Sequence, residues 1–296
     1  MRRHRGALYI EFRKGADELY TGPGCFGKFG PFFGSDCVKN GDFVWSAVDG
    51  RLRSARAVRK PQISLVTTPE STETVLTDPP LDVSPPVEEQ LRAFLKLLLH
   101  SAQLFNLTAI LDPEGAWDRH VVESLRLLPL LGPGKRLIDV GSGAGLPGMV
   151  LAIARPTLAV TLLEATAKKA RFLEDTAKAL ALSNVTVVAN RAELASAVGQ
   201  PLRESFDIVT ARAVAPLRIL VELTAPFARV GGTIIAVKGR QAEAELASAK
   251  NALWSLHLEH EQTVRQPTAS ILVLRKKLST PAKYPRRSGE PKRRPL

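Results

Sequence analysis

A glycine-rich loop directly after a short apolar run is the feature that most constrains this chain. The stretch "RLIDVGSGAGLPGMV", residues 136–150, places Asp139 in the apolar run and then glycines at alternate positions, Gly141, Gly143 and Gly145. Glycine tolerates positive φ angles and close approach of other atoms to the backbone. Such a loop is typical of the turn from a buried strand into a helix where a nucleotide-like ligand binds.

Strand and helix patterns alternate after the glycine loop, and this alternation predicts the fold class. Nearly continuous apolar runs are typical of parallel strands that helices cover on both faces. Two further runs close together, "HLEHEQTV" and "SILVLRKK", predict an antiparallel edge hairpin. The sequence therefore predicts a Rossmann-like α/β fold whose mostly parallel sheet has about seven strands. The parallel strands are predicted at "KRLIDV", "LAVTLLE", "NVTVVAN", "SFDIVTAR" and "GGTIIAVKG".

The chain divides into four predicted parts. Residues 1–86 are predicted to be a disordered extension and linker, because the first 50 lack helical or strand periodicity and the segment ends in a stretch rich in Pro, Thr and Ser. Residues 87–132 carry apolar residues at helical spacing and predict a small helical segment. Residues 133–278 form the predicted ligand-binding domain, and residues 279–296 form a basic C-terminal tail.

The net charge of +12 is concentrated at the two ends of the chain. Residues 1–60 contain 12 Lys or Arg against 6 Asp or Glu, and residues 275–296 contain 9 against 1, so the central part is nearly neutral. Basic ends suit a phosphate-rich partner, although a solvated terminus has the same composition.

Several protein classes are not expected from this composition. No apolar run approaches the roughly 20 residues that a membrane helix needs, so we expect a cytoplasmic protein without membrane contact. The two cysteines, Cys25 and Cys37, fit neither a disulfide framework nor a zinc pattern, and no metal is expected.

Two common nucleotide-binding motifs fit the loop poorly. A phosphate-binding P-loop needs Lys and then Ser or Thr after the glycines, but Gly148 is followed by Met149 and Val150. The dinucleotide pattern G-x-G-x-x-G matches only when it starts two residues late, at Gly143. A NAD-linked enzyme would also need a group such as a Tyr–Lys pair at the hydride site, and all three tyrosines lie near the ends of the chain.

The pattern acid-x-Gly-x-Gly-x-Gly, which starts at Asp139, is typical of S-adenosylmethionine sites. Glu164 ends the second predicted strand, where its carboxylate would accept hydrogen bonds from ribose hydroxyls. Ala192 and Glu193 follow the third strand, where adenine would be bound. Ligands in such sheets lie at the carboxyl ends of the strands, and these residues all lie there.

The sequence resembles a bacterial family, the 16S rRNA guanine-N7 methyltransferases known as RsmG or GidB. The resemblance extends from about residue 87 to residue 296, and residues 1–86 match nothing in that family. The most specific motifs are "FNLTAILDPEGAWDRHVVESL", "DVGSGAGLPG", "NRAE", "FDIVTARAVAPL" and "KYPRRSGEPKRRPL".

The resemblance implies an S-adenosylmethionine-dependent methyltransferase fold and transfer of a methyl group to N7 of a guanine in the decoding-region loop of 16S rRNA. It also implies the small ribosomal subunit as partner, and we expect a monomer. The cofactor contacts that it implies are Gly141, Leu146, Ala192, Glu193 and Arg212, to which geometry adds Gly143, Gly145 and Glu164.

Guanine N7 carries a lone pair and no proton, so no general base is expected among the site residues. Arg212 and Lys238 are the candidates on the substrate side, and we expect Arg212 to bind the cofactor's carboxylate or an RNA phosphate. His120 and Asn106 are expected as a helix-packing histidine and a turn asparagine. The RNA-binding candidates in the basic tail are Lys283, Arg286 and Arg287.

Three other functions remain open at this point, of which the NAD-linked oxidoreductase is the least favoured. A methyltransferase for a small molecule or a protein would need the same cofactor residues. An RNA-binding module without activity would share the basic ends but would not bind S-adenosylmethionine.

Overall fold

The structure, a computed structural model, describes residues 83–296 throughout and, before them, only the backbone of six short strands. The chain divides into two compact units, Met1–Thr68 and Pro69–Leu296. The predicted extension over residues 1–86 falls largely outside the described residues and stays a prediction. In the part of the chain that the structure describes, no helix has the length and apolar character needed to cross a bilayer.

The residues of the first unit that the structure describes form five strands in two small antiparallel sheets. In one sheet β1 pairs with β2, and in the other β4 lies between β3 and β5. The strands are β1 (Tyr9–Arg13), β2 (Leu19–Pro23), β3 (Cys37–Asn40), β4 (Phe43–Val48) and β5 (Arg51–Ser54).

The second unit is built on one sheet with the order β6-β12-β13-β11-β10-β7-β8-β9. Strands β11, β10, β7, β8 and β9 are parallel neighbours, and β13 pairs antiparallel with both β11 and β12. The predicted seven-stranded, mostly parallel sheet with an antiparallel edge hairpin is confirmed, and β6 adds two residues beside β12. The strands are β6 (Thr74–Val75), β7 (Arg136–Val140), β8 (Ala159–Glu164), β9 (Val185–Ala189), β10 (Phe206–Arg212), β11 (Ala228–Lys238), β12 (Leu258–Arg265) and β13 (Ser270–Lys276).

Helices cover both faces of the sheet. The helices are α1 (Pro85–Ala102), α2 (Pro113–Ala116), α3 (Glu123–Leu125), α4 (Gly148–Ala154), α5 (Ala167–Ala179), α6 (Ala192–Ala195), α7 (Leu217–Thr224), α8 (Ala242–Ser248), α9 (Lys250–Ser255) and α10 (Glu290–Arg293). A π-helical turn, Trp117–Val122, joins α2 to α3, and a 3-10 turn spans Leu128–Leu130.

The helical segment before the sheet forms as its sequence predicts. Asp112 caps α2, because its Oδ1 accepts a hydrogen bond from the Gly115 backbone N at 2.6 Å. Helix α1 packs against α4 and α5 and buries one apolar face in the core. That face consists of Leu91, Phe94, Leu95 and Leu98. The segment is thereby fixed next to the glycine loop that leads into α4.

Candidate functional site

The glycine loop between β7 and α4 has a left-handed backbone at all three alternate glycines. The φ angles are +72° at Gly141, +55° at Gly143 and +86° at Gly145. A Cβ at Gly141 would lie 2.9 Å from Val214 Cγ2, whereas a Cβ at Gly143 would meet nothing closer than the Gly141 carbonyl oxygen at 3.8 Å. The loop therefore has room for a ligand at Gly143, while packing within the protein already excludes a side chain at Gly141.

Asp139 stabilises this loop through hydrogen bonds. Its side chain is fully buried, its Oδ1 accepts from Thr210 Oγ1 at 2.8 Å, and its Oδ2 accepts from Gly148 N at 3.2 Å. Burial raises the pKa of Asp139 to about 6, although the hydrogen bonds from Thr210 and Gly148 oppose the shift. The acid of the motif thus joins β7 to β10 and to the start of α4.

The two other predicted acids also lie at strand ends, and each accepts hydrogen bonds from the backbone. Glu164 Oε2 accepts from Gly143 N at 2.9 Å, and Glu164 Oε1 accepts from Thr166 N at 2.7 Å. Glu193 Oε1 accepts from Gly289 N at 2.8 Å, which ties α6 to the C-terminal tail. A carboxylate oxygen has two lone pairs, so both acids can accept further hydrogen bonds. Their contacts to a cofactor stay predictions.

Two more predicted cofactor residues have different surroundings. The Leu146 side chain is buried in the core beside α4, which leaves its backbone for any ligand contact. Ala192 is half-buried at the start of α6. Together with Gly143 and Glu164, they lie along the carboxyl edge of the sheet, as the sequence predicts.

A cavity of about 590 Å³ lies at the same edge, next to the glycine loop. Val214 connects the two, since it lines the cavity and contacts Gly141. The helical segment before the sheet forms one wall, and residues 212–216 and the turn between β12 and β13 form the others. Both predicted substrate-side residues, Arg212 and Lys238, line this cavity.

Arg212 connects the sheet to the helical segment. Its Nη1 donates to the Arg119 carbonyl oxygen at 3.0 Å, and its Nη2 lies 3.4 Å from His120 Nδ1. Burial lowers the pKa of the Arg212 guanidinium, and the nearby charges of Glu123 and Asp139 oppose that shift. The Arg212 side chain is thus already oriented before any ligand binds.

His120 is a neutral acceptor in this arrangement. A guanidinium can only donate, so Nδ1 accepts from Arg212 and the ring proton lies on Nε2, which donates to Thr108 Oγ1 at 2.7 Å. Burial and the charge of Arg212 lower the pKa of His120 to about 4. The predicted packing histidine is buried and also lines the cavity, whereas Asn106 is exposed.

We expect His120→Gln to flatten the loss of stability in acid. The unfolded chain protonates this histidine near the ordinary histidine pKa of 6.5, whereas the folded chain does so only at about 4. As the pH falls through that window, the unfolded state binds the extra proton, so the His120 contribution to stability is lost. Thermal melts of both proteins between pH 7 and pH 4 measure this, and the difference between them cancels the other titrating groups. Parallel pH profiles would contradict it.

Lys238 anchors the loop that follows Arg212. Its Nζ donates to the Ala215 carbonyl oxygen at 2.6 Å and lies 2.7 Å from Glu245 Oε2, which also accepts from Leu217 N at 2.6 Å. The loop includes Ala213, whose φ of +54° is unusual for a residue with a side chain. Lys238 and Glu245 therefore hold a strained backbone against the cavity.

The basic tail is docked on the domain. Arg286 pairs with the fully buried Glu222, whose Oε1 accepts from both N and Nε of Arg286 at 2.9 Å. Of the three predicted RNA-binding residues, Lys283 and Arg287 are exposed. The Arg286 guanidinium instead forms an ion pair with Glu222.

Sequence reasoning missed three side chains that shape the site: Thr210, Glu245 and Glu123. Thr210 donates a hydrogen bond to Asp139, and Glu245 forms an ion pair with Lys238. Glu123 lines the cavity. The one signal for Glu123 is its position four residues after Arg119, which predicts an ion pair on a helix. Among the described residues, no group of three or more His, Cys, Asp or Glu side chains is placed to hold a metal ion.

Comparison with known proteins identifies the family of this chain. The profile of the GidB family, described as rRNA small subunit methyltransferase G, matches residues 87–271. A ribosomal RNA small subunit methyltransferase G from Sorangium cellulosum is 50% identical over 198 residues, which cover 66% of this chain and 82% of that protein. The protein of the same name from Caldanaerobacter subterraneus is 43% identical over 216 residues, 70% of this chain and 90% of its own.

Among solved structures, cofactor-bound Rv0187 from MTB is 18% identical, with a TM-score of 0.47, and covers 68% of this chain and 100% of its own. A likeness this distant says nothing about function. The family profile spans more than half of the chain, and both relatives align over most of their own length. The chain therefore belongs to the rRNA small subunit methyltransferase G family.

Proposed function

We propose that this protein transfers the methyl group of S-adenosylmethionine to N7 of a guanine in 16S rRNA. As a member of its family it is an rRNA methyltransferase, and S-adenosylmethionine is its methyl donor. The observation that carries the proposal is the meeting of two features at one sheet edge: a glycine loop with open space at Gly143 and a large cavity lined by Arg212.

The residues along the loop fit the cofactor's polar groups. The open side of Gly143 leaves room for the methionine and ribose portions, and the Glu164 carboxylate beside it is an acceptor for ribose hydroxyls. Backbone groups at Leu146 and Ala192, with the carboxylate of Glu193, are proposed to hold adenine. S-adenosylmethionine supplies an activated methyl group, and the cavity gives the acceptor base access to it.

The chemistry needs positioning more than proton transfer. The lone pair of N7 forms the new bond to the methyl carbon while the sulfur–carbon bond breaks, and no proton leaves the guanine. Holding the reacting atoms in line can contribute roughly 7–11 kcal/mol. His120 is not available as a general base, because Nδ1 of its neutral ring already accepts a hydrogen bond from Arg212. We propose that Arg212 contacts the cofactor's carboxylate or an RNA phosphate.

An RNA substrate follows from the family, and the finer statements are proposals. We propose the small ribosomal subunit as the partner, a cytoplasmic location, a monomeric enzyme and catalysis without a metal ion. Exposed cations of the docked tail, Lys283 and Arg287, suit contacts with RNA phosphates.

The double variant Lys283→Ala, Arg287→Ala should weaken RNA binding and flatten its salt dependence. Each lost phosphate contact reduces the slope of log K against log salt concentration by about 1. Filter binding across a salt series measures the slope, and the exposed Lys250→Ala serves as a control for the loss of one positive charge outside the tail. An unchanged slope in the double variant would remove the tail from the RNA-binding surface.

The function itself is tested by mapping N7-methylguanine in 16S rRNA with and without the gene. We expect one N7-methylguanine to disappear, and purified protein with S-adenosylmethionine to restore it on RNA or on small subunits from the deletion strain. If every N7-methylguanine persists in the deletion strain, the proposed position and base are wrong. Restoration on subunits but not on naked RNA would identify the subunit as the substrate.

A further inference from the structure

Glu123 is a buried acid in the wall of the cavity, and it is only partly used. It is the first residue of α3 and is 7% exposed. Its Oε1 lies 3.1 Å from Arg119 Nη1 and accepts a hydrogen bond from the Thr268 hydroxyl. Within the described residues no hydrogen bond is found for its Oε2. The cavity therefore contains a carboxylate oxygen with unused acceptor capacity, held in place by Arg119 and Thr268.

Arg119 pairs with Glu123 itself, and the other charged side chains of the cavity have partners elsewhere. Lys238 and Glu245 bind each other and the backbone of the loop after Arg212. The two terminal nitrogens of Arg212 face the Arg119 carbonyl oxygen and His120 Nδ1. Glu245 likewise makes its contacts through one oxygen, but Glu123 is the more buried of the two acids, with 7% of its side chain exposed against 24%.

The size of the cavity suits one nucleotide that has left its stack. Its volume of about 590 Å³ falls in the range of about 300–1,000 Å³ that is common for ligand pockets. Enzymes that modify a base within folded nucleic acid commonly turn that base out into such a pocket and bind its Watson–Crick edge.

The geometry of guanine determines which of its edges meets the cavity wall. If N7 faces the methyl donor at the glycine loop, the opposite edge, with N1–H and the N2 amino group, faces away from the loop. These two donors lie side by side, and a carboxylate accepts from both at once. Adenine has an acceptor at N1 and no amino group at C2, so the same carboxylate would reject it.

We propose that Glu123 determines specificity for guanine by accepting hydrogen bonds from N1–H and the N2 amino group. This inference rests on the proposed function. Methylation at N7 gives the purine a positive charge and makes N1–H a stronger donor, so the hydrogen bond to Glu123 strengthens as the new bond forms. Glu123 therefore contributes to rate as well as to selection.

Inosine tests the contact, because it differs from guanosine only in lacking the N2 amino group. The substrates are two 16S rRNA fragments, or subunits reconstituted with them, that carry guanosine or inosine at the target position. We expect the wild-type enzyme to prefer guanosine by tenfold or more in kcat/KM. In Glu123→Gln, whose amide offers a donor to the N2 group, activity on guanosine falls at least tenfold and the preference falls to twofold or less. Cofactor affinity should stay unchanged.

Thr268→Val is the matched control. It removes the hydroxyl partner of Glu123 Oε1 but keeps the carboxylate and its ion pair with Arg119, so we expect a lower rate with the guanosine preference retained. Glu123→Asp covers the case in which Glu123→Gln does not fold, because it retains the carboxylate and should retain the preference at a lower rate.

The outcomes separate the two proposals. A Glu123→Gln enzyme that still prefers guanosine tenfold over inosine would overturn the role of Glu123, as would a wild-type enzyme without any preference. Loss of the preference in Thr268→Val to the same extent would also overturn it, because the effect would then be one of general disturbance. If the wild-type enzyme methylates the target at an atom other than N7, the proposed function fails first.

Discussion

Arg286→Ala should lower the free energy of unfolding by about 3–5 kcal/mol. The Arg286 side chain pairs with both carboxylate oxygens of Glu222, a residue of α7 with no exposed surface. Removing the guanidinium leaves a buried carboxylate whose remaining hydrogen bond in the described structure is to the backbone N of residue 286. Urea unfolding followed by circular dichroism measures the change.

Arg287→Ala is the control for this experiment, because it removes the neighbouring charge from an exposed position. Surface substitutions of this kind usually change stability by about 0.5 kcal/mol or less. If the two variants unfold at the same urea concentration, the pair between Arg286 and Glu222 does not hold the tail on the domain.

Gly143→Ala should weaken S-adenosylmethionine binding by about a hundredfold, which corresponds to about 3 kcal/mol. In the protein itself the new methyl group has room, since its nearest neighbour would be a carbonyl oxygen at 3.8 Å. The space that it would fill is the space proposed for the cofactor. Isothermal titration calorimetry with S-adenosylmethionine measures the dissociation constant.

Gly199→Ala separates the cofactor effect from backbone strain. Gly199 also has a left-handed backbone, with a φ of +82°, and a Cβ there would meet nothing within 4 Å. Both substitutions therefore have the left-handed strain of alanine, about 1–2 kcal/mol, but only one lies in the glycine loop. Equal dissociation constants for the two variants would place the cofactor elsewhere.

The sequence predicts the sheet well because the burial of its strands leaves a local pattern. Five parallel strands and the edge hairpin are found where apolar runs predict them. Strand β6 has only two residues, too few to show a periodicity. The π-helical turn Trp117–Val122 has the same apolar spacing as an ordinary helix over its short length, so its hydrogen-bond pattern is not visible in the sequence.

The site is predicted in position but not in its contacts. Asp139 and Glu164 lie in the last residues of their strands and Glu193 follows the next strand, so their common location can be derived from topology alone. Their partners cannot, because the Glu193 carboxylate meets a backbone group 96 residues away and Asp139 meets a side chain 71 residues away. Local charge counting likewise finds Arg286 in a basic stretch but gives no sign of the buried Glu222 that neutralises it.

The docked tail also affects how the newly synthesised polypeptide folds. Residues 280–291 leave the ribosome after every strand of the sheet, yet they supply the partner of Glu222 and the backbone group that meets Glu193. A growing chain that has completed its strands still exposes a carboxylate destined for the interior and lacks one contact at the proposed adenine end. The polypeptide should therefore bind S-adenosylmethionine only after this segment has been translated.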